Sequence, residues 1–273
     1  MSGFGARLQA AVAEHGRLCV GIDPHPQLLT GWGLDASADG VREFAMRVID
    51  AAAGRVAVVK PQVAFFERFG SAGFAALEDV LGAARAAGLL VIADAKRGDI
   101  GSTMAAYAQA WLVPGSPLEA DALTVSPYLG VGALAETAAL ALEHGKGLFV
   151  LTATSNPEAA ALQHSVAAGG ATVARAVCTA VRTLESDGPH RSLGVVIGAT
   201  VDRSACALTD DVLAGIPILA PGFGHQGARL GDAAAVFGPL APHVLASASR
   251  SILSAGPDGL PAAIDTHRRE LEV

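Results

Sequence analysis

The chain has 273 residues, of which 51% are apolar and 16% charged, and its formal net charge is −7. That length suits one α/β domain spanning residues 1–273 with a large buried core. The acid excess excludes a general basic surface for nucleic acid, and no unbroken apolar run reaches the ~18 residues of a membrane span, so neither is expected as a partner.

In chain order, residues 1–17 lack the apolar core of a signal peptide, being interrupted by Glu14, His15 and Arg17, which predicts a cytoplasmic protein. Residues 17–23, RLCVGID, are an apolar run ending in an acid before Pro24. This fits a strand whose end delivers Asp23 to a site, and equally a turn or helix-capping aspartate. Stretch 31–40, rich in glycine and small residues, reads as loop, and residues 41–53 as an amphipathic helix stopped by Gly54. A second strand, 55–60, ends at Lys60 before Pro61, and a helix over 73–87 is closed by Gly88. A third strand starts at Leu89, with the helix 103–112 behind it capped by Ser102 or Thr103. Then come a fourth strand at 121–125, a helix at 131–143 and a fifth strand at 147–152 with the loop ATSNP. Residues 166–185 read as one helix with Arg175 and Arg182 on its wet face. A sixth strand at 192–199 precedes a short helix at 208–214, and a seventh at 216–220 carries the glycine-rich loop PGFGHQGAR. A helix at 233–237, an eighth strand at 243–248 running into SASRSI, and a last helix at 261–271 complete the chain. Cys19, Cys178 and Cys206 lack C-x-x-C spacing, which predicts reduced, buried thiols and no zinc or redox site.

The third strand is the unusual one. It places Asp94, Lys96, Arg97 and Asp99 within six residues, where a buried strand should carry no charge. Side chains alternate along a strand, so Asp94 and Lys96 share a face, while Asp99 lies beyond the strand end. A generic D-x-K at this place is most simply a weak ion pair on a solvated loop.

Eight strands alternating with helices, without a composition break or linker, predict one closed (β/α)₈ TIM barrel of parallel strands. A doubly wound open sheet is the alternative, disfavoured because no G-x-G-x-x-G follows the first strand. In a barrel, catalytic groups gather at the C-terminal ends of different strands. Asp23, Lys60, Asp94 with Lys96, Ser155, Gln226 and Arg250 stand at or just after six such ends. Loops seven and eight are where this fold commonly holds phosphate, with glycines baring N–H groups and an arginine supplying charge.

The string D-x-K-x-x-D-I-G-x-T, here Asp94, Lys96, Asp99, Ile100, Gly101 and Thr103, resembles the signature of the orotidine 5′-phosphate decarboxylase family. GIDPH, KPQxAFFE, SPYLG, TSNP, PGxGxQG and SR agree with one branch of it, from about Gly21 to Ile252. The resemblance implies a cofactor-independent decarboxylation of orotidine 5′-phosphate to uridine 5′-phosphate. It implies a charged network of Lys60, Asp94, Lys96 and Asp99, in a homodimer where Asp99 reaches the partner's site. Asp23 is implied as a ribose contact, Ser155 as a pyrimidine contact, and Gln226 and Arg250 as phosphate contacts; Thr103 is counted among the substrate-binding residues. His225 departs from the small residue more usual before the glutamine.

The chemistry has its own logic. Loss of CO₂ from C6 of a pyrimidine leaves charge on a carbon with no carbonyl placed to delocalise it, and no thiamine or pyridoxal motif is visible to act as a sink. A fixed ammonium must stabilise and then protonate that carbanion, and Lys96, flanked by Asp94 and Asp99, is the candidate. A Mg²⁺-dependent sugar-phosphate decarboxylase or aldol-type synthase would need further acidic ligands at strand ends, and Glu67 lies seven residues beyond Lys60. A Schiff-base aldolase is disfavoured because a lysine between carboxylates is held charged. A silent nucleotide-binding barrel would require a broken charge network, and every member is present.

Overall fold

The computed structural model describes residues 2–186, 188–224 and 227–272. Eight strands run β1 (Leu18–Ile22), β2 (Val58–Pro61), β3 (Leu90–Arg97), β4 (Ala122–Val125), β5 (Gly147–Ala153), β6 (Leu193–Ile197), β7 (Ile218–Pro221) and β8 (Val244–Ala248). Each pairs in parallel with its sequence neighbour and β8 returns to β1, closing the barrel as expected. The open-sheet alternative is thereby excluded.

Strand parity divides the core. Leu18, Val20 and Ile22 of β1 join the layer between strands and helices, whereas Cys19 points inward with Val58, Leu90, Ile92, Ala122, Phe149, Val196, Leu219 and Leu245. Side chains alternate, so counting on by twos from these inward positions gives Gly21 and Asp23, Lys60 and Gln62, Asp94 and Lys96, Thr124, Leu151, Ser247 and Ser249. The barrel interior is thus apolar at its floor and polar at its mouth.

The floor is closed by the helix Phe4–His15, for which the sequence reading had only the absence of a leader. Phe4 is fully buried, edge-on to Phe149 with centroids 6.1 Å apart. Arg7 Nη1 donates to Asp121 Oδ1 at 2.6 Å and Nη2 to the Gly145 carbonyl at 2.9 Å, tying the helix to the barrel. All three cysteines are free and buried, and burial pushes the Cys19 thiol up to about 12.

Three expectations need correction. The helix expected over 41–53 begins at Ala38, where the Ser37 side chain accepts from Gly40 N, so part of the expected loop is helical. The helix expected over 166–185 spans only Val173–Thr183: Gly170 at φ +80° turns the chain, and Thr172 Oγ1 caps the new start by accepting from Arg175 N. Its arginines are not left to water, since Arg175 donates to the Ala207 carbonyl and Arg182 to those of Asp211 and Val212. The helix after β3 starts at Gly101 behind Ile100, so neither Ser102 nor Thr103 caps it; Asp99 Oδ1 takes the Ile100 amide at 2.8 Å.

Candidate active site

Asp94 is the hub of the mouth. Its Oδ2 accepts from Lys60 Nζ at 2.5 Å and Gln62 Nε2 at 3.2 Å, and its Oδ1 from Lys96 Nζ at 2.6 Å and Thr124 Oγ1 at 2.9 Å. Each oxygen therefore holds one ammonium and one neutral donor. Burial by itself opposes the charge on Asp94, but Lys60 and then Lys96 outweigh it and hold the carboxyl well below the usual carboxylate range. Burial likewise opposes the Lys60 ammonium, and the fields of Asp94 and Asp23 reverse that effect, raising its pKa above that of an ordinary lysine.

The two lysines differ in access. The Lys60 side chain is 7% exposed and that of Lys96 44%. Lys60 is thus fixed in the wall, whereas Lys96 Nζ, also 3.4 Å from Gln62 Oε1, faces the open cleft. Lys96 adopts φ +49°, one of two non-glycine residues on the left-handed side among the described residues, at a register shift between β3 and β4. Strain of this kind persists where the surroundings enforce it, and it collects at functional sites.

The cleft encloses about 630 Å³, within the usual range for a small-molecule site, and Asp23, Lys60, Asp94, Lys96 and Arg250 all line it. Asp23 Oδ1 and Ser249 Oγ are buried there without a hydrogen-bond partner among the described residues, an arrangement that a ligand hydroxyl can satisfy. Across the mouth, Arg250 Nη2 lies 3.3 Å from His25 Nε2, and His25 packs on Phe65 at 4.4 Å. Beside them Gly222, Gly224 and Gly227 of the β7 loop adopt φ +109°, +79° and +104°, which favour glycine, and Gly224 N donates to the Ala228 carbonyl at 2.8 Å and Gly227 N to the Gly224 carbonyl at 3.1 Å.

Three of the other expected residues, Ser155, Asp99 and Thr103, do not line this cleft. Ser155 is exposed just past Thr154, which does line the cleft. Asp99 makes no ion pair among the described residues, and Thr103 is exposed on the helix Gly101–Leu112; neither lines the cleft of its own chain. Gln226, with His225, lies outside the described residues. Arg97 points away from the cleft, pairing with Glu67 and lying over the Tyr107 ring at 5.5 Å. Among the described residues no cluster of three or more His, Cys, Asp or Glu side chains offers a metal ligand set. Sequence reasoning missed Gln62, Thr124, His25 and Ser249; all but His25 follow from strand parity once the inward face is known.

The comparisons converge on one family. The model described as "Orotidine 5'-phosphate decarboxylase / HUMPS family" matches residues 16–263. A Salinispora arenicola protein named orotidine 5′-phosphate decarboxylase is 55% identical over 270 residues, covering 97% of this chain and 95% of its own. One from Streptomyces coelicolor with that name is 52% identical over 263 residues, covering 94% and 92%. A Streptomyces avermitilis crystal structure, provisionally assigned as the same enzyme, superposes with a TM-score of 0.94 at 48% identity over 100% of this chain and 95% of that one. The Leishmania donovani OMP decarboxylase structure gives 0.77 at 30% identity over 100% and 98%. With sequence match, barrel and charged mouth in agreement over nearly its whole length, the chain belongs to the orotidine 5′-phosphate decarboxylase / HUMPS family.

Proposed function

We propose that this chain removes CO₂ from orotidine 5′-phosphate to give uridine 5′-phosphate in pyrimidine biosynthesis, as a cytoplasmic enzyme that needs no cofactor. The observation that carries the reading is the Lys96 ammonium, 2.6 Å from Asp94 and open to a cleft of nucleotide size. The C6–carboxylate bond breaks and its electron pair stays on C6. Lys96 stabilises that charge, then transfers its proton to C6 and is left as the neutral amine. Asp94 also crowds the substrate carboxylate. Two such charges ~4 Å apart at an effective dielectric of ~20 repel by about 4 kcal/mol, against the ~8–23 kcal/mol by which enzymes commonly lower barriers. Repulsion is a minority contribution, and carbanion stabilisation does more.

Asp23 takes a ribose hydroxyl on its unpartnered oxygen, and Ser155 closes over the pyrimidine from the β5 loop. Arg250, with Gln226 and the glycine loop, holds the phosphate, whose binding energy organises the charged network. The active unit is a homodimer. Ile100 is 61% exposed, Tyr128 78% and Leu129 53%, an apolar face that includes the segment carrying Asp99 and Thr103. A second copy covers that face, and Asp99 enters its cleft to complete the ring of charge around Lys96, with Thr103 a substrate contact. The test is direct: purified protein with orotidine 5′-phosphate and EDTA should show loss of substrate ultraviolet absorbance. No loss, or loss only on adding Mg²⁺, would overturn the reading.

A further inference from the structure

Pairing between β3 and β4 runs Ala93↔Leu123 and then Arg97↔Val125, so four steps on β3 face two on β4. The surplus is the bulge that contains Asp94, Ala95 and Lys96, and inside it the ladder cannot supply partners for the backbone. Opposite stands Thr124, 1% exposed. Lys96 N donates to Thr124 Oγ1 at 3.0 Å, and Thr124 Oγ1 lies 2.9 Å from Asp94 Oδ1. The proton on that hydroxyl has one place to go: an ionised carboxylate only accepts, so the hydroxyl donates to Asp94 while it accepts from Lys96.

We propose that Thr124 is a positioning residue for the decarboxylation, an inference that rests on the reading of Lys96 as the proton donor to C6. Its hydroxyl takes the place of a ladder carbonyl and holds the Lys96 backbone at φ +49°. It also fixes the carboxylate that Lys96 Nζ binds, so one side chain sets both ends of the lysine relative to Asp94. Gln62, which donates to Oδ2 and accepts from Lys96 Nζ, braces the other side. Without the hydroxyl, the Lys96 amide loses its partner and the bulge is free to relax, which displaces the ammonium from the C6 position. Substrate binding does not depend on that register, because the phosphate and ribose contacts lie on other strands.

The test uses the full chain and its Thr124→Val, Thr124→Ser and Thr124→Ala variants, with kcat and KM for orotidine 5′-phosphate and the thermal midpoint of each. Valine keeps the β-branched shape and removes only the hydroxyl. It should leave KM within about threefold and lower kcat about 10–100-fold, the range for one hydrogen bond to a charged group. Serine should recover most of the loss. Exchange of the C6 hydrogen of uridine 5′-phosphate in D₂O, which reads proton transfer without CO₂, should slow in parallel with kcat. Wild-type kcat and exchange in Thr124→Val would overturn the proposal, as would equal losses in the valine and serine variants. Should valine prevent folding, serine and alanine decide, since both lack the methyl group and differ only in the hydroxyl: equal kcat there refutes the brace. A wild-type chain without turnover would overturn the decarboxylase reading and this inference with it, whereas an active wild type with an unaffected valine variant overturns this inference alone.

Discussion

At the floor of the barrel, Asp121 is met by Arg7 at 2.6 Å on one oxygen and by the Val91 amide at 2.9 Å on the other, beneath a helix that seals the end. At the mouth, Asp94 is held as closely, but by two cations, Lys60 at 2.5 Å and Lys96 at 2.6 Å. The difference lies in what is left over. Arg7 spends its second nitrogen on the Gly145 carbonyl, while Lys96 stays 44% exposed and Asp23 Oδ1 is buried without a partner among the described residues. Ion pairs alone therefore do not mark a site. A site is marked where charges are placed by burial and pairing and their remaining bonding capacity is turned to an open cleft.

That contrast predicts that mouth variants lose chemistry and floor variants lose stability. The largest effect is expected for Lys96→Ala, which should lower kcat by at least about 10⁴-fold, since it removes both the proton donor and the charge facing the carbanion. Its thermal midpoint should stay near wild type, and a variant with near-wild-type kcat would assign the chemistry elsewhere. Arg250→Ala should follow with a drop of about 10²–10³-fold in kcat/KM, more than an exposed ion pair yields, because phosphate binding is used in the transition state. Equal rates on orotidine with and without its phosphate would contradict this.

At the floor, Phe4→Ala should cost about 3–5 kcal/mol of stability in denaturant unfolding, the range for truncating a buried phenylalanine, with kcat on the surviving folded protein unchanged. A large fall in kcat at unchanged stability would erase the distinction between the two ends. The smallest effect is in acid. The folded-state pKa of Asp94 is depressed, so the stability it contributes is present above the unfolded value of about 3.9 and is lost as pH falls through the folded value. Over that window Asp94→Asn should lose stability less steeply with falling pH than wild type, measured by urea unfolding.

Much of the mouth was legible before any coordinates. Parity puts Asp94 and Lys96 on one face, and strand-end position brought Asp23, Lys60 and Arg250 to the same cleft, whereas the neutral Gln62 and Ser249 carried no charge to draw attention. The floor helix was not legible. Its apolar stripe is short, Phe4 and Leu8 among alanines, and its partner Phe149 lies far away in sequence, so only the closed barrel shows what it covers. Thr124 was missed for another reason: a neutral residue in an ordinary strand gives no sign of a bulge in the strand beside it. The helix overcalled at 166 shows the reverse error, where a run of small residues reads as helical until Gly170 turns it.

The central claim is that the floor is finished by its own chain while the mouth is finished from outside, by substrate and by a second copy. Mixing Lys96→Ala and Asp99→Ala proteins under conditions of subunit exchange tests it most directly. Each variant alone should be nearly inactive. At random mixing about half the dimers pair one of each, so roughly a quarter of all sites carry both native groups and should regain wild-type turnover. Exchange verified by mass, with no activity recovered, would mean that Asp99 serves its own barrel or none, and that the mouth is not completed by a partner.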